Sequence, residues 1–173
     1  MKEIKILKEA EFSDFSNKKE NSIITELFYN EIMSKYTCCI CSDIHYSYQN
    51  IFDVPLLLPE KQMEIDLENL LKNHFNPEIV KFETKCNKCR IIGNHLKEVS
   101  ISKPAPILIF SLKRINTITE TKNECIVNIP NSLELSKFID KEFIVNNKVI
   151  YNLYGVVNHF GNINFGHYNC LIR

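Results

Sequence analysis

Two pairs of cysteines constrain this chain more tightly than any other feature. "TCCICSD" contains Cys38-x2-Cys41 and "KCNKCR" contains Cys86-x2-Cys89, with 44 residues between the pairs. A C-x2-C turn aims two thiolates at one side of a tight knuckle. Two knuckles complete a tetrahedral four-sulfur site, which suits structural Zn2+ and leaves no open position for catalysis. The alternatives are ordinary cysteines or a redox C-x-x-C of thioredoxin type, and the pairing of two units argues against the redox one. Cys39 lies between ligands and could stand in for Cys38, though the x2 spacing favours Cys38. His95 follows the second knuckle, but four thiols leave it no ligand role. Each knuckle is expected at a strand end, as in a zinc ribbon, with the long intervening segment forming an insertion that returns. The expected metal is silent about function, because ribbons bind nucleic acid, bind protein or simply stabilise.

Composition narrows the class. At 173 residues the chain can bury one core, so one domain is expected. Lys plus Arg and Asp plus Glu both number 21. That balance gives no support to nucleic-acid binding or to a polybasic membrane surface. Seven cysteines, an odd number, fit a closed disulfide framework poorly and point to a reducing compartment. No stretch approaches 18 apolar residues, and "MKEIKILKEAEF" lacks the features of a signal peptide. The expected setting is intracellular, in cytoplasm or nucleus, without a membrane partner.

Residues 1–21 are charged and weakly patterned, a loop with a short helix at most. "SIITELFYNEIMSKY" mixes helical spacing (Ile24, Leu27, Phe28) with a β-rich end, and its type stays open. "IHYSYQNIFDVPLLLP" alternates over Phe52, Val54, Leu56 and Leu58, which predicts a strand ending at Pro59. "DLENLLKNHFNP" predicts a helix with Asp66 as N-cap, with Leu67, Leu70, Leu71 and Phe75 on one face and Pro77 ending it. From Lys97 onward β-branched and aromatic runs alternate with polar turns. The fold class is therefore α+β, with antiparallel sheet in the C-terminal half.

Three of the four glycines (Gly155, Gly161, Gly166) fall in the last nineteen residues, around His159 and His167. The pattern H-x-G-x4-G-H-Y predicts a hairpin with one histidine leaving it and one returning. Such an imidazole, with an ordinary pKa of about 6.5, suits a general base for a thiol. The residues alone favour a purely structural role over a catalytic one, because G-H-Y is a short motif. His45 in a strand and His74 at a helix end carry only surface roles, and Lys113 with Arg114 is read as structural, a charged pair ending a strand and usually a solvated edge.

In order along the chain, these motifs resemble the ubiquitin-specific proteases, a family of papain-like cysteine deubiquitinases. "YSYQNIFDVPLLLP" is similar to the family's aromatic-plus-F-x-x-L-x-L-x-P strand, with Val54 in place of Leu. "KFETKCNKC" resembles its second knuckle, and "PAPILIFSLKRI" its P-x-x-L-x-x-x-L-K-R-F, with Ile115 replacing the aromatic. "IPNSLELSKFI" and "YNLYGVVNHFGNINFGHY" resemble the P-x-x-L-x-L-x-x-F and histidine-box segments that follow. The resemblance covers about 22–173. It implies a partial papain-like fold with zinc-ribbon-like fingers (about 36–102) and an antiparallel palm (about 103–173). It implies His167 as the general base and His159 as a supporting histidine. The Gly161 to Gly166 loop, Phe165 included, would lie over the site near the ubiquitin Gly-Gly tail, with Tyr168 walling the tail channel. Cys38, Cys41, Cys86 and Cys89 would hold zinc at the fingertips, and the fingers would cradle ubiquitin.

The chain departs from the family in two places. The nucleophile box, G-N-T-C-x-x-N, has no counterpart here, and an Asp or Asn on a strand beyond the histidine is not found. The expectation is a deubiquitinase domain lacking its nucleophile and inactive alone, whose partners are ubiquitin and the remaining part of its own catalytic domain. The alternative is a non-catalytic ubiquitin-binding homologue with a structural zinc.

Overall fold

The backbone changes from helix to strand at Tyr29. Ser22 caps helix α1 (Ile23–Phe28): its Oγ accepts the Thr25 N–H at 3.2 Å, and the Thr25 hydroxyl accepts the Ser22 N–H at 3.1 Å. Tyr29 is already extended (φ −77°, ψ 122°), and the β-rich residues continue as β1 (Asn30–Cys38). The segment of open type is thus helix followed by strand. These coordinates come from a computed structural model, which describes residues 22–116, 118–142, 144, 148–163 and 165–173. The expectation for 1–21 lies outside the described residues.

Downstream run β2 (Ile44–Ile51), β3 (Asp53–Leu57), β4 (Glu64–Asp66), α2 (Leu67–His74), β5 (Glu78–Lys85) and β6 (Ile92–Lys103). Then come β7 (Ile109–Lys113), β8 (Ile115–Asn116), β9 (Thr121–Lys122), β10 (Ile126–Asn128) and β11 (Ser132–Glu134). A 3-10 turn (Ser136–Phe138) precedes β12 (Ile150–Asn152), β13 (Gly155–Gly161) and β14 (Gly166–Ile172). The predicted single strand over Phe52 to Leu58 is broken: β2 ends at Ile51 and β3 begins at Asp53. Val54 and Leu56 still point inward, both fully buried.

One antiparallel sheet, in the order β2-β1-β6-β5, forms the zinc-ribbon-like fingers. Its centre is the β1–β6 ladder, which pairs Glu31 with Lys103 at one end and Cys38 with His95 at the other. The remaining strands make two-stranded ladders. Three are antiparallel (β8–β9, β11–β12, β13–β14) and two parallel (β3–β7, β4–β10). The antiparallel pairing expected in the C-terminal half is present, but as separate ladders, and the largest antiparallel sheet lies in the fingers.

The core gathers Val54 and Leu56 of β3, Leu67, Leu70 and Leu71 of α2, Phe75, Ile101 of β6, and Leu133, Leu135 and Ile139. The predicted helix face is the buried one, each leucine contributing about 2 kcal/mol of transfer free energy. Asp66 occupies the N-cap position without capping, because its Oδ1 accepts Asn128 Nδ2 at 3.1 Å across the β4–β10 pair.

The junction of fingers and core is polar. Asn30 is fully buried at the start of β1; its Oδ1 accepts the Ala105 N–H at 2.9 Å and its Nδ2 donates to the Phe28 carbonyl. Ser102, also fully buried, donates to the Glu31 carbonyl and carboxylate. Asn30→Ala orphans the Ala105 N–H, and an unsatisfied buried donor costs about 1–3 kcal/mol. Chemical denaturation should show the unfolding free energy falling by that amount, as a lower midpoint with the slope unchanged.

Candidate functional site

The metal cluster follows from two matching turns. After Cys38 and after Cys86 the chain makes the same knuckle: Ser42 N–H donates to Cys38 O at 2.9 Å and Arg90 N–H to Cys86 O at 3.0 Å. Cys38 N–H and Cys86 N–H then donate to Asp43 O and Ile91 O. Ser42 (φ 57°) and Arg90 (φ 62°) both sit in the left-handed region, a conformation a side chain adopts at some expense. The β1–β6 register brings the knuckles together, with Cys39 N–H bonded to Asn94 O.

All four Sγ atoms of Cys38, Cys41, Cys86 and Cys89 lie within 4.8 Å of one another. Cys38 Sγ is 4.0 Å from Cys89 Sγ, and Cys41 Sγ is 3.7 Å from Cys86 Sγ. A tetrahedral ion with metal–sulfur bonds of about 2.3 Å needs edges of about 3.8 Å, so these thiols can hold a metal ion. Backbone N–H groups of Cys41 and Ile40 point at Cys38 and lower its thiol to about 7. The N–H groups of Cys89 and Lys88 lower Cys86 in the same way. The Asp43 N–H pulls Cys41 down, but burial and hydrogen bonds with the other three sulfurs outweigh it and push this thiol up to about 11. A metal-free cluster resists carrying four charges, and a divalent cation removes that resistance. Cys39 is exposed and outside the cluster.

His95 is buried beneath the knuckles, stacked on Phe82 at 4.2 Å, with Nδ1 3.2 Å from Gly93 O. His45 stacks on Tyr36 at 5.0 Å. Neither is a thiol-cluster ligand, and His95 is part of the packing under it. His74 ends α2, its ring edge-on to Phe75, and burial followed by the Lys97 charge lowers its pKa.

The histidine hairpin is β13–β14. The pairing sets His159 opposite Tyr168, Phe160 opposite His167 and Gly161 opposite Gly166. Strand side chains alternate, so His159 and Tyr168 share one face while His167 and Phe160 share the other. His159 packs against Tyr168, ring centroids 4.7 Å apart, and does not lie beside His167. A Cβ on Gly166 would collide with His159 Nε2 and the Phe160 carbonyl, so this glycine makes room for the imidazole. Gly161 has φ 109° and faces the Phe165 carbonyl closely. Asn162 closes the turn: its N–H donates to Phe165 O and its Oδ1 accepts the Phe165 N–H, both at 2.9 Å. His167, Phe165, Tyr168 and the rest of β14 are exposed.

No cysteine bonds to His167 among the described residues. Cys170 pairs with Val157, which puts it on the His159 face, away from His167. Cys125 is buried in the core and bonds to the Ile126 carbonyl. Arg114 is structural, as expected, but not a solvated edge, since its Nη1 donates to Asn123 O at 3.0 Å and Cys125 O at 2.7 Å. Lys122, unremarked in the sequence, donates to His159 O at 3.1 Å and Gly161 O at 2.8 Å. No local pattern signals that contact, which spans 37 to 39 positions.

With fold and geometry in place, comparison with known proteins identifies the class. The family described as "Ubiquitin carboxyl-terminal hydrolase" matches residues 5–173. This chain belongs to that family. The match begins well before position 22. Similar relatives include ubiquitin carboxyl-terminal hydrolase 2 of Gallus gallus, 30% identical over 161 residues, covering 90% of this chain and 44% of the relative. The Homo sapiens protein of the same name is 29% identical, covering 90% of this chain and 26% of its own length. The chain thus spans less than half the length of these curated relatives. Among solved structures, the SAGA Ubp8/Sgf11/Sus1/Sgf73 DUB module bound to ubiquitin aldehyde superposes with TM-score 0.77 at 24% identity, covering 91% of this chain and 36% of that one. Another form of the module gives TM-score 0.79 at 23% identity over 97% of this chain and 38% of that one. These structures share the fold.

Gly166→Ala should destabilise the hairpin by about 1–3 kcal/mol, as overpacking does. Combining it with His159→Ala should restore part of the loss, because the ring is the first atom group the new methyl meets. A double-mutant cycle on denaturation midpoints reads this coupling, expected above about 0.5 kcal/mol for residues in contact.

Proposed function

We propose that this chain is the finger and palm part (22–173, divided near 103) of a cysteine-type deubiquitinase that acts after the C-terminal glycine of ubiquitin. The observation that supports the reading most directly is His167 presented on the exposed hairpin beside the Gly161 to Gly166 turn, within a chain of this family. His167 takes the proton of a thiol supplied from outside the described residues, and returns it to the leaving lysine amine. His159 supports this from the opposite face by fixing the Gly166 turn and seating Tyr168. Tyr168, Gly161, Phe165 and Gly166 border the path of the ubiquitin tail. The exposed hairpin faces, with Val157, Phe160, Leu171 and Ile172, seat the nucleophile-bearing part of the catalytic domain.

Zn2+ is the ion proposed for Cys38, Cys41, Cys86 and Cys89. An all-thiolate tetrahedral set favours it and, with four ligands filled, it is structural. The setting proposed is intracellular, cytoplasm or nucleus, where such thiols stay reduced. Ubiquitin is the partner, and the neutral chain offers no case for nucleic acid or membrane.

Elemental analysis should give one zinc per chain, lost in Cys86→Ser together with order at the knuckle end of the finger sheet. A fully folded metal-free protein would sink the site. Lowered from 9.0 to about 7, the Cys38 thiol contributes stability that is fully present above pH 9 and lost as pH falls through 7. Protons compete with the metal in the same direction, so zinc retention measured across a pH series should fall on acidification.

Ubiquitin titrated into the purified chain should bind saturably, with His167→Ala leaving affinity unchanged, since the fingers and the border of the tail path carry the contact while His167 serves the reacting thiol. Complete absence of binding would rule the reading out. The chain alone should neither cleave a fluorogenic ubiquitin substrate nor form an adduct with a C-terminal ubiquitin electrophile. Adduct formation would mean that a thiol already lies within reach of His167.

A further inference from the structure

We propose that Lys122 is a positioning residue for the histidine hairpin, an ammonium clamp on the outer edge of β13 that fixes the Gly161 to Gly166 turn. Its Nζ donates to two carbonyls of that strand, His159 O at 3.1 Å and Gly161 O at 2.8 Å. Carbonyls two residues apart point to the same side of a strand. The Phe160 carbonyl, of opposite parity, faces Gly166 on β14. The pair taken by Lys122 is therefore on the edge that β14 leaves open, where backbone acceptors otherwise rely on water.

The clamp is built rather than incidental. The Lys122 side chain is only 11% exposed, and it also pairs with Glu124 at 3.6 Å. Its backbone is held by the β8–β9 pairing with Ile115. That short hairpin is closed by Arg114, whose guanidinium bonds to the Asn123 and Cys125 carbonyls while the Asn123 N–H donates to Arg114 O. Asn123 Nδ2 in turn reaches Pro59 O. A continuous polar chain thus runs from the "LKR" end of β7, through Arg114 and the 123–125 backbone, to Lys122 and the carbonyls flanking Phe160. It meets the turn on the strand opposite His167, so Lys122 acts through backbone and touches no reacting atom.

What the clamp serves rests on the ubiquitin reading above: a turn held at Gly161 keeps the border of the tail path in one conformation. The test compares Lys122→Met, which keeps the apolar stem, with Lys122→Arg, which keeps a cationic donor. In the 173-residue chain, amide exchange at Asn162 and Phe165 should rise about tenfold in Lys122→Met, with β1 and β6 amides unchanged and Lys122→Arg close to wild type. Unchanged exchange at Asn162 and Phe165 would overturn the clamp. So would a rise spread evenly into β1 and β6, which marks a residue that only supports the fold. Titration then tests purpose. Lys122→Met should weaken intact ubiquitin by about fivefold and leave ubiquitin lacking its two terminal glycines unaffected. Equal weakening of both overturns the link to the tail. A wild-type chain that binds neither overturns the ubiquitin reading itself, and the exchange result then judges the clamp alone.

Discussion

The β1–β6 ladder is the interaction on which the rest depends. It joins residues more than fifty positions apart and carries two sites at its two ends. At one end, Cys38 opposite His95 sets the knuckles side by side. At the other, Glu31 and Asn30 meet Ser102 and Ala105, and Ile101 enters the core. Loop-closure entropy for such a separation is large, and one long antiparallel ladder repays it more readily than scattered contacts. The far end of the sheet has little apolar volume beyond Tyr36, Phe82, His45 and His95, so the thiol cluster takes the place of a core there.

Much of this was legible in the sequence because it is local. C-x2-C spacing fixes a knuckle, a leucine stripe fixes the buried face of α2, and glycines beside histidine announce a turn. What stayed hidden is non-local. The parallel β3–β7 and β4–β10 pairs depend on segments far apart in sequence, and the Asp66 carboxylate is drawn from its helix by Asn128 on β10. Arg114 looked like a solvated edge because its carbonyl partners lie nine and eleven positions on. The opposite facing of His159 and His167 depends on hairpin register, which a Gly-flanked turn of unknown type does not fix.

The hairpin itself is unusual in being exposed on both faces, with aromatic and aliphatic side chains on each. Isolated two-stranded hairpins are marginal in water. Here the anchors are few and specific: Lys122 on the outer edge of β13, the Asn162 turn, and the Arg173 N–H donated to Tyr154 O at the far end. A family relative more than twice as long has chain available to cover these faces.

Seating the His159 ring over Gly166 has a consequence for pairing fidelity. Strand side chains alternate with period two, so a slip of one residue would turn His167 to the face now held by Tyr168. Any such slip carries a side chain into the place of Gly166, where only a bare Cα fits under the imidazole. The ring therefore works as a key in a keyway, admitting one alignment of β14 against β13. The direction in which His167 points is thereby set by a residue on the opposite face, through exclusion rather than contact.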